Sequence, residues 1–183
     1  MANMLRMALR AALLRRDTYR EAAENPEVIL KSLGVVIFAA TLFGLGLMNV
    51  IVEGTRDAEL PSIFDRLVNL WLVTVTLMLG WILWALVVHI LGGKFVDGKA
   101  SFHQVLRALG ICYGPGALML FVRVPQIGGY VYFVGLLWIL VAGVVAVREV
   151  EQTDWIAAAL STVFGWAVFL LLLPQLIVIP LVR

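Results

Sequence analysis

Residues 67–91 read LVNLWLVTVTLMLGWILWALVVHIL, twenty-five positions without one Asp, Glu, Lys or Arg. An α-helix rises about 1.5 Å per residue and the hydrocarbon core of a bilayer is about 30 Å thick, so roughly twenty apolar residues cross it. This run exceeds that length and is expected to cross with some tilt. Working outward, 33–52 (LGVVIFAATLFGLGLMNVIV), 128–147 (GGYVYFVGLLWILVAGVVAV) and 155–173 read the same way. A shorter run, 105–122, is interrupted by Gly114-Pro115-Gly116. The expected fold is all-α, a polytopic membrane helix bundle of five transmembrane helices with an N-terminal amphipathic interfacial helix. A straight helix over 155–182 would be about 42 Å long, so Pro174 is expected to kink or end it and the tail 174–183 to run on at an angle or lie at the interface.

The totals agree. Of 183 residues, 62% are apolar and 14% charged, with mean hydropathy +0.99. Soluble domains are about half apolar and about a quarter charged, which excludes a soluble globular enzyme, a disordered chain and a coiled coil. A formal net charge of +2 suggests no nucleic-acid partner. Cys112 is the one cysteine, so it forms no internal disulfide and reads as a small buried hydrophobe. Eleven Arg against three Lys fits a GC-rich prokaryotic genome and hence an inner (cell) membrane. The first apolar run is too long for a cleavable signal and is expected to stay as an anchor.

Residues 1–32 form a separate region, ahead of a membrane domain over 33–183. On a helical wheel Met4, Leu5, Met7, Ala8, Ala11, Ala12, Leu14 and Tyr19 share one face, and Arg6, Arg10, Arg16, Asp17 and Arg20 the other. This is the pattern of a basic amphipathic helix lying in the headgroup region on anionic lipid, ended by Asn25-Pro26. With five spans, ten Lys and Arg fall on the N-terminal side and four on the other. The positive-inside rule then makes the N-terminus cytoplasmic and the C-terminus external or lumenal.

Chemistry is sparse. Ionisable residues inside a span are costly and mark function, yet these spans are nearly bare. His89 stands one turn from the end of its span and could line a cavity; Arg107 and Arg123 bracket the third span and are expected to snorkel to opposite surfaces. There is no HExxH, no paired His and Cys ligand set and no phosphate loop, so no catalytic residue, metal site or cofactor is expected. Three small-xxx-small pairs, Ala40 with Gly44, Gly110 with Gly114 and Ser161 with Gly165, suit close helix approach in lipid. In 92–116 (GGKFVDGKASFHQVLRALGICYGPG) a glycine pair ends span two, a turn follows around Asp97-Gly98, and Ser101 is the expected N-cap of the next helix. Broken backbone at membrane depth survives only where protein or water satisfies it.

That segment resembles the Yip-type family of small membrane proteins, first known as interactors of Ypt/Rab GTPases. The resemblance rests on Gly92 and Gly93 at a span end, Gly98, Ser101 and Phe102 leading into the next helix, Leu106, Tyr113 with Pro115, and Trp138 in a span ending near Arg148-Glu149. It covers about 33–180. Tyr113-Gly114-Pro115 stands where the family more often has Tyr-Ala-x-Pro. The resemblance implies five spans, a cytoplasmic N-terminus, a role in membrane traffic or organelle organisation, and a small GTPase as a partner class. The expected function is therefore non-enzymatic membrane organisation or recruitment of other membrane proteins, self-association included. An accessory subunit of a larger membrane complex is one alternative. A transporter or lipid translocator built on the broken third span is another, and it requires a polar cavity near Tyr113, Pro115 and His89.

Overall fold

The computed structural model describes residues 2–54, 62–95, 98–124 and 126–181, and every regular element among them is helical. In chain order these are α1 (Ala2–Ala12), α2 (Arg16–Glu24), α3 (Val28–Gly54), α4 (Ile63–Phe95), α5 (Phe102–Ile111), a 3₁₀ helix (Gly114–Arg123), α6 (Gly128–Glu151) and α7 (Trp155–Leu181). Asp97 of the expected turn lies outside the described residues.

Val28–Gly46, Ile63–Gly93 and Gly128–Glu151 are each long and apolar enough to cross a membrane. The helix α5 and the 3₁₀ helix qualify together as one span bent by 43°. The helix α7 runs 27 residues, and its stretch Trp155–Leu171 is apolar. Among the described residues, length and composition support three crossings, or four with the bent pair, and the fifth expected from the sequence falls on α7. The backbone of α7 is helical through Pro174 and on to Leu181, so the proline does not end it. An interior proline costs one hydrogen bond, which neighbouring helices and local adjustment offset in a membrane helix.

The broken span sits at the centre of the bundle. Every residue of α5 from Val105 to Ile111 is buried, against α2, α3, α4 and α6. The chain breaks at Cys112-Tyr113, and Pro115 enters the first turn of the 3₁₀ helix, where its missing N–H costs nothing. A 3₁₀ helix rises about 2.0 Å per residue against about 1.5 Å for α, so ten residues reach further in this form. The 3₁₀ helix is wedged between α3 and α6. A Cβ on Gly116 would stand 2.7 Å from that of Ala39, and one on Gly46 would meet the Met119 carbonyl. Those two glycines let the backbones of α3 and the 3₁₀ helix close up.

The helix α4 packs most extensively on α7. Its Trp84 is wholly buried in a hollow made by Gly143 of α6 and Gly165 of α7. The indole N–H donates to the Thr162 carbonyl at 3.0 Å. A Cβ on Gly143 or Gly165 would come within 2.7 or 2.8 Å of that ring. Outward-facing positions are apolar as well, including Trp71, Tyr130, Phe133, Ile156 and Leu160. A helix apolar all round is a helix in lipid.

The first thirty residues depart most from expectation. They form two helices, not one, joined at Leu14 with φ 57°. Most of the face read as lipid-bound packs on the protein's own bundle: Met7, Ala11 and Tyr19 are buried, as are Ala22 and Ala23 beyond it, and Met4, Ala8 and Leu14 lie against the core, while Leu5 of that face is exposed. The turn at Leu14 lets both apolar stripes reach the same surface, which one straight helix crossing a curved bundle could not do. A second ridge, Leu5 and Leu9 of α1 with Leu13 just beyond its end, stays exposed.

Candidate functional site

Among the described residues, a cluster of polar groups lies where α1 and α2 meet α5, α6 and the start of α7. Helix C-termini leave carbonyls without partners, and these must be met by side chains where water is scarce. Three side chains do so here. The Tyr19 hydroxyl donates to the Ala11 carbonyl at 2.6 Å, and the Trp138 indole N–H donates to Ala12 at 2.8 Å. Arg107 donates from Nε to the Ala22 carbonyl at 3.0 Å and from its terminal nitrogen to Ala23. Burial raises the Tyr19 pKa above the ordinary tyrosine range, so the hydroxyl remains a donor.

Arg107 therefore does not snorkel to water. It is 8% exposed and places its charge on the negative end of the α2 dipole. Its own backbone carbonyl accepts from Ser32 Oγ at 2.7 Å, which ties α5 to α3 at the same level. The α1–α2 segment is thus a strap fastened to the bundle through its helix ends.

Two carboxylates lie at the end of α6. The Glu149 side chain is 7% exposed and is held by Arg148 at 2.8 Å, Arg20 at 3.0 Å and Arg16 at 3.8 Å. Arg10 pairs with Asp17 and, at 3.6 Å, with Glu21, while Arg6 is exposed. Glu151 is 3% exposed, and its Oε2 accepts the Ala100 N–H at 3.1 Å. Its other oxygen meets no donor, and neither does His89 Nδ1. The hollow around this carboxylate is glycine: a Cβ on Gly92 would come 2.9 Å from Oε1, and one on Gly98 would overlap Oε2. The Gly98 N–H also donates to the Gly92 carbonyl at 3.0 Å.

The residues singled out in the sequence separate into groups. Gly92, Gly98 and Ser101 surround or follow the Glu151 hollow. Gly93 faces open space, and α4 runs past the glycine pair to Phe95. Ser101 is the N-cap of α5, its N–H donating to Gln104 Oε1 at 2.8 Å. The Phe102 ring stands 6.1 Å from that of His89. Tyr113 meets Trp84 edge-on at 6.2 Å, and Pro115 is buried beside it. Gly44 accommodates Leu70 and Val73, and Gly110 accommodates Ser32 and Trp81. Gly114 lies against the Ala8 carbonyl, and Gly165 against Trp84. Ala40 is buried, and Ser161 bonds back to Ala157 at 2.9 Å. All three small-residue pairs therefore contact other parts of this chain.

A transporter would require a polar cavity beside Tyr113. Among the described residues, cavities of about 40 and 180 Å³ adjoin that residue, and their linings are mostly apolar. Neither is lined by His89 or Pro115. His89 instead lies within electrostatic reach of Glu151. No group of three or more His, Cys, Asp or Glu able to hold a metal occurs among the described residues.

Sequence reasoning missed Glu151, named Glu149 only as the end of a span, and sent Arg107 to the water surface, whereas the structure buries it. The signal for Glu151 was the spaced glycines themselves, which imply a tenant, although nothing local names it.

A family model for the Yip1 domain matches residues 12–176, nearly the whole strap-and-bundle unit. The chain belongs to the Yip1 family. The match begins at Ala12, so it takes in α2 and its arginines along with the bundle. This places the protein among multi-pass integral membrane proteins. Neither a curated protein nor a solved structure matches the chain.

Proposed function

We propose that this Yip1-family chain is a non-enzymatic membrane protein that organises membrane or recruits partner proteins, with the strap-bearing end toward the cytoplasm. The observation that carries the reading is the strap itself. Arg16 and Arg20, near the start of the chain, complete the Glu149 cluster at the end of α6, so strap and bundle form one composite surface. Beside it the Leu5, Leu9 and Leu13 ridge is exposed for contact with the leaflet. The mostly apolar linings of the cavities at Tyr113 weigh against a solute path.

The test is crosslinking in native membranes followed by purification and mass spectrometry, on the wild-type chain and on Arg107→Gln, which loosens the strap. Recruitment predicts partners captured by the wild type and lost from the variant. A partner present at fixed stoichiometry in both would instead make the chain an accessory subunit, and a chain that captures nothing would sink recruitment. A small GTPase is the partner class the family implies, and its absence from the captured set would remove it. Tags on the two termini, probed in sealed vesicles, test the orientation. Solute flux that is lost in Pro115→Ala would revive the transporter reading.

A further inference from the structure

We infer that Arg16, Arg20 and Arg148 form a site for the phosphate of an anionic lipid headgroup, with the lipid's acyl chain lying along α7. The inference deepens the membrane-organising reading and rests on it. Three guanidinium groups converge on one carboxylate, Glu149. Asp154 is engaged by the Ile156 and Ala157 N–H groups at 2.8 and 3.0 Å, where it caps α7. Glu151 is buried in its glycine hollow. At Glu149 itself the cations outnumber the carboxylate three to one, and of the α2 acids beside Arg16 and Arg20, Asp17 and Glu21 pair with Arg10 while Glu24 shares a hollow with Arg20.

Donors are in excess too. A guanidinium has five N–H donors in a planar fork that fits phosphate oxygens two at a time, and a single carboxylate cannot satisfy three such forks. Arg148 Nε is buried with no acceptor at all. Arg16 and Arg20 are more than half exposed, so the cluster is open to a ligand.

The position selects a lipid over a phosphate free in water. Arg148 and Arg16 both lie over the Trp155 ring, with guanidinium carbons 4.3 and 5.4 Å from its centre. Tryptophan and arginine at the end of a span mark headgroup depth. From Trp155 an exposed ridge descends α7 through Ile156, Leu160 and Phe164, at i, i+4 and i+8. A soluble phosphate has no use for that ridge, whereas an acyl chain covers it.

The experiment reads Trp155 in the full chain, reconstituted in phosphatidylcholine nanodiscs that contain phosphatidylglycerol. The acyl chains of one lipid or the other are brominated, and the Trp155 signal is the difference between wild type and Trp155→Phe. Quenching by brominated phosphatidylglycerol is expected to exceed that by brominated phosphatidylcholine at equal mole fraction, and the relative affinity fitted from it to rise by about fivefold for each arginine engaged. Arg16→Gln with Arg20→Gln is expected to abolish the preference, Arg16→Lys with Arg20→Lys to retain most of it, and Arg123→Gln to leave it unchanged. Equal quenching by the two lipids, or a preference that survives the double Gln variant, overturns the proposal. Displacement by inorganic phosphate but not by chloride at equal ionic strength would reassign the site to a soluble phosphate and also overturns it. A lost preference together with an unchanged set of crosslinked partners separates this site from recruitment, and a retained preference without partners separates them the other way.

Discussion

The helices α4 and α2 are attached to the same bundle in opposite ways. Trp84 holds α4 by shape, filling a hollow that exists because Gly143 and Gly165 have no side chains. Arg107 holds α2 by polarity, meeting carbonyls that the end of a helix leaves bare. In hydrocarbon, lipid tails solvate Leu as well as protein does, so helices associate through close packing. Near the headgroups the backbone itself becomes the adhesive, because helix ends there need donors. The difference teaches that the spans are held by what is missing at glycines, and the strap by what is unpaired at helix ends.

The largest test of that contrast is Trp84→Ala. Emptying this site is expected to cost about 3–5 kcal/mol and to lower the melting temperature of the whole protein in detergent; an unchanged melt would show that the hollow is not what joins α4, α6 and α7. Arg107→Gln comes next, at about 1.5–3 kcal/mol. Its effect should be local: amide exchange rises across Arg16–Glu24 while Ile139–Val147 stays protected. If that variant melts the bundle as Trp84→Ala does, the two modes of attachment are one.

Gly98→Ala sharpens the picture at the boundary between the two. The added Cβ displaces the Glu151 carboxylate at an expected cost of about 1–2 kcal/mol, and Glu151→Ala should relieve most of it. Strict additivity of the two changes would mean that the glycine does not serve the carboxylate. The smallest effect is expected for Trp138→Phe, about 1 kcal/mol, seen as faster amide exchange in α1 alone.

Much of this was legible before any coordinates. Uncharged runs such as 67–91 announce helices in lipid, and the chain breaks at the Gly114-Pro115-Gly116 interruption because proline and glycine act locally. The N-terminal region was legible only by half. Its wheel shows an apolar face, but a helical pattern states how wide that face is and not what covers it; Met7 and Ala11 face protein while Leu5 and Leu9 do not. Arg107 read as a span-end residue reaching for water, since its acceptors lie 84 and 85 positions away along the chain. Gly92 and Gly98 were visible as a motif, yet their tenant Glu151 arrives from another helix. The end of α7 was not legible: proline stops a helix in water, yet α7 stays helical through Pro174 because a membrane helix can have its freed backbone groups met by neighbours.

Composition and period by themselves determined that this chain is helical and lives in lipid, because those properties depend on each residue's transfer from water and on backbone bonds closed within four residues. Tertiary structure alone decided which apolar stripe meets protein, which arginine meets a helix end, and which carboxylate fills a glycine hollow. Each of those is a pairing between groups far apart in sequence, and its energy exists only once the backbone has brought them within a few ångströms.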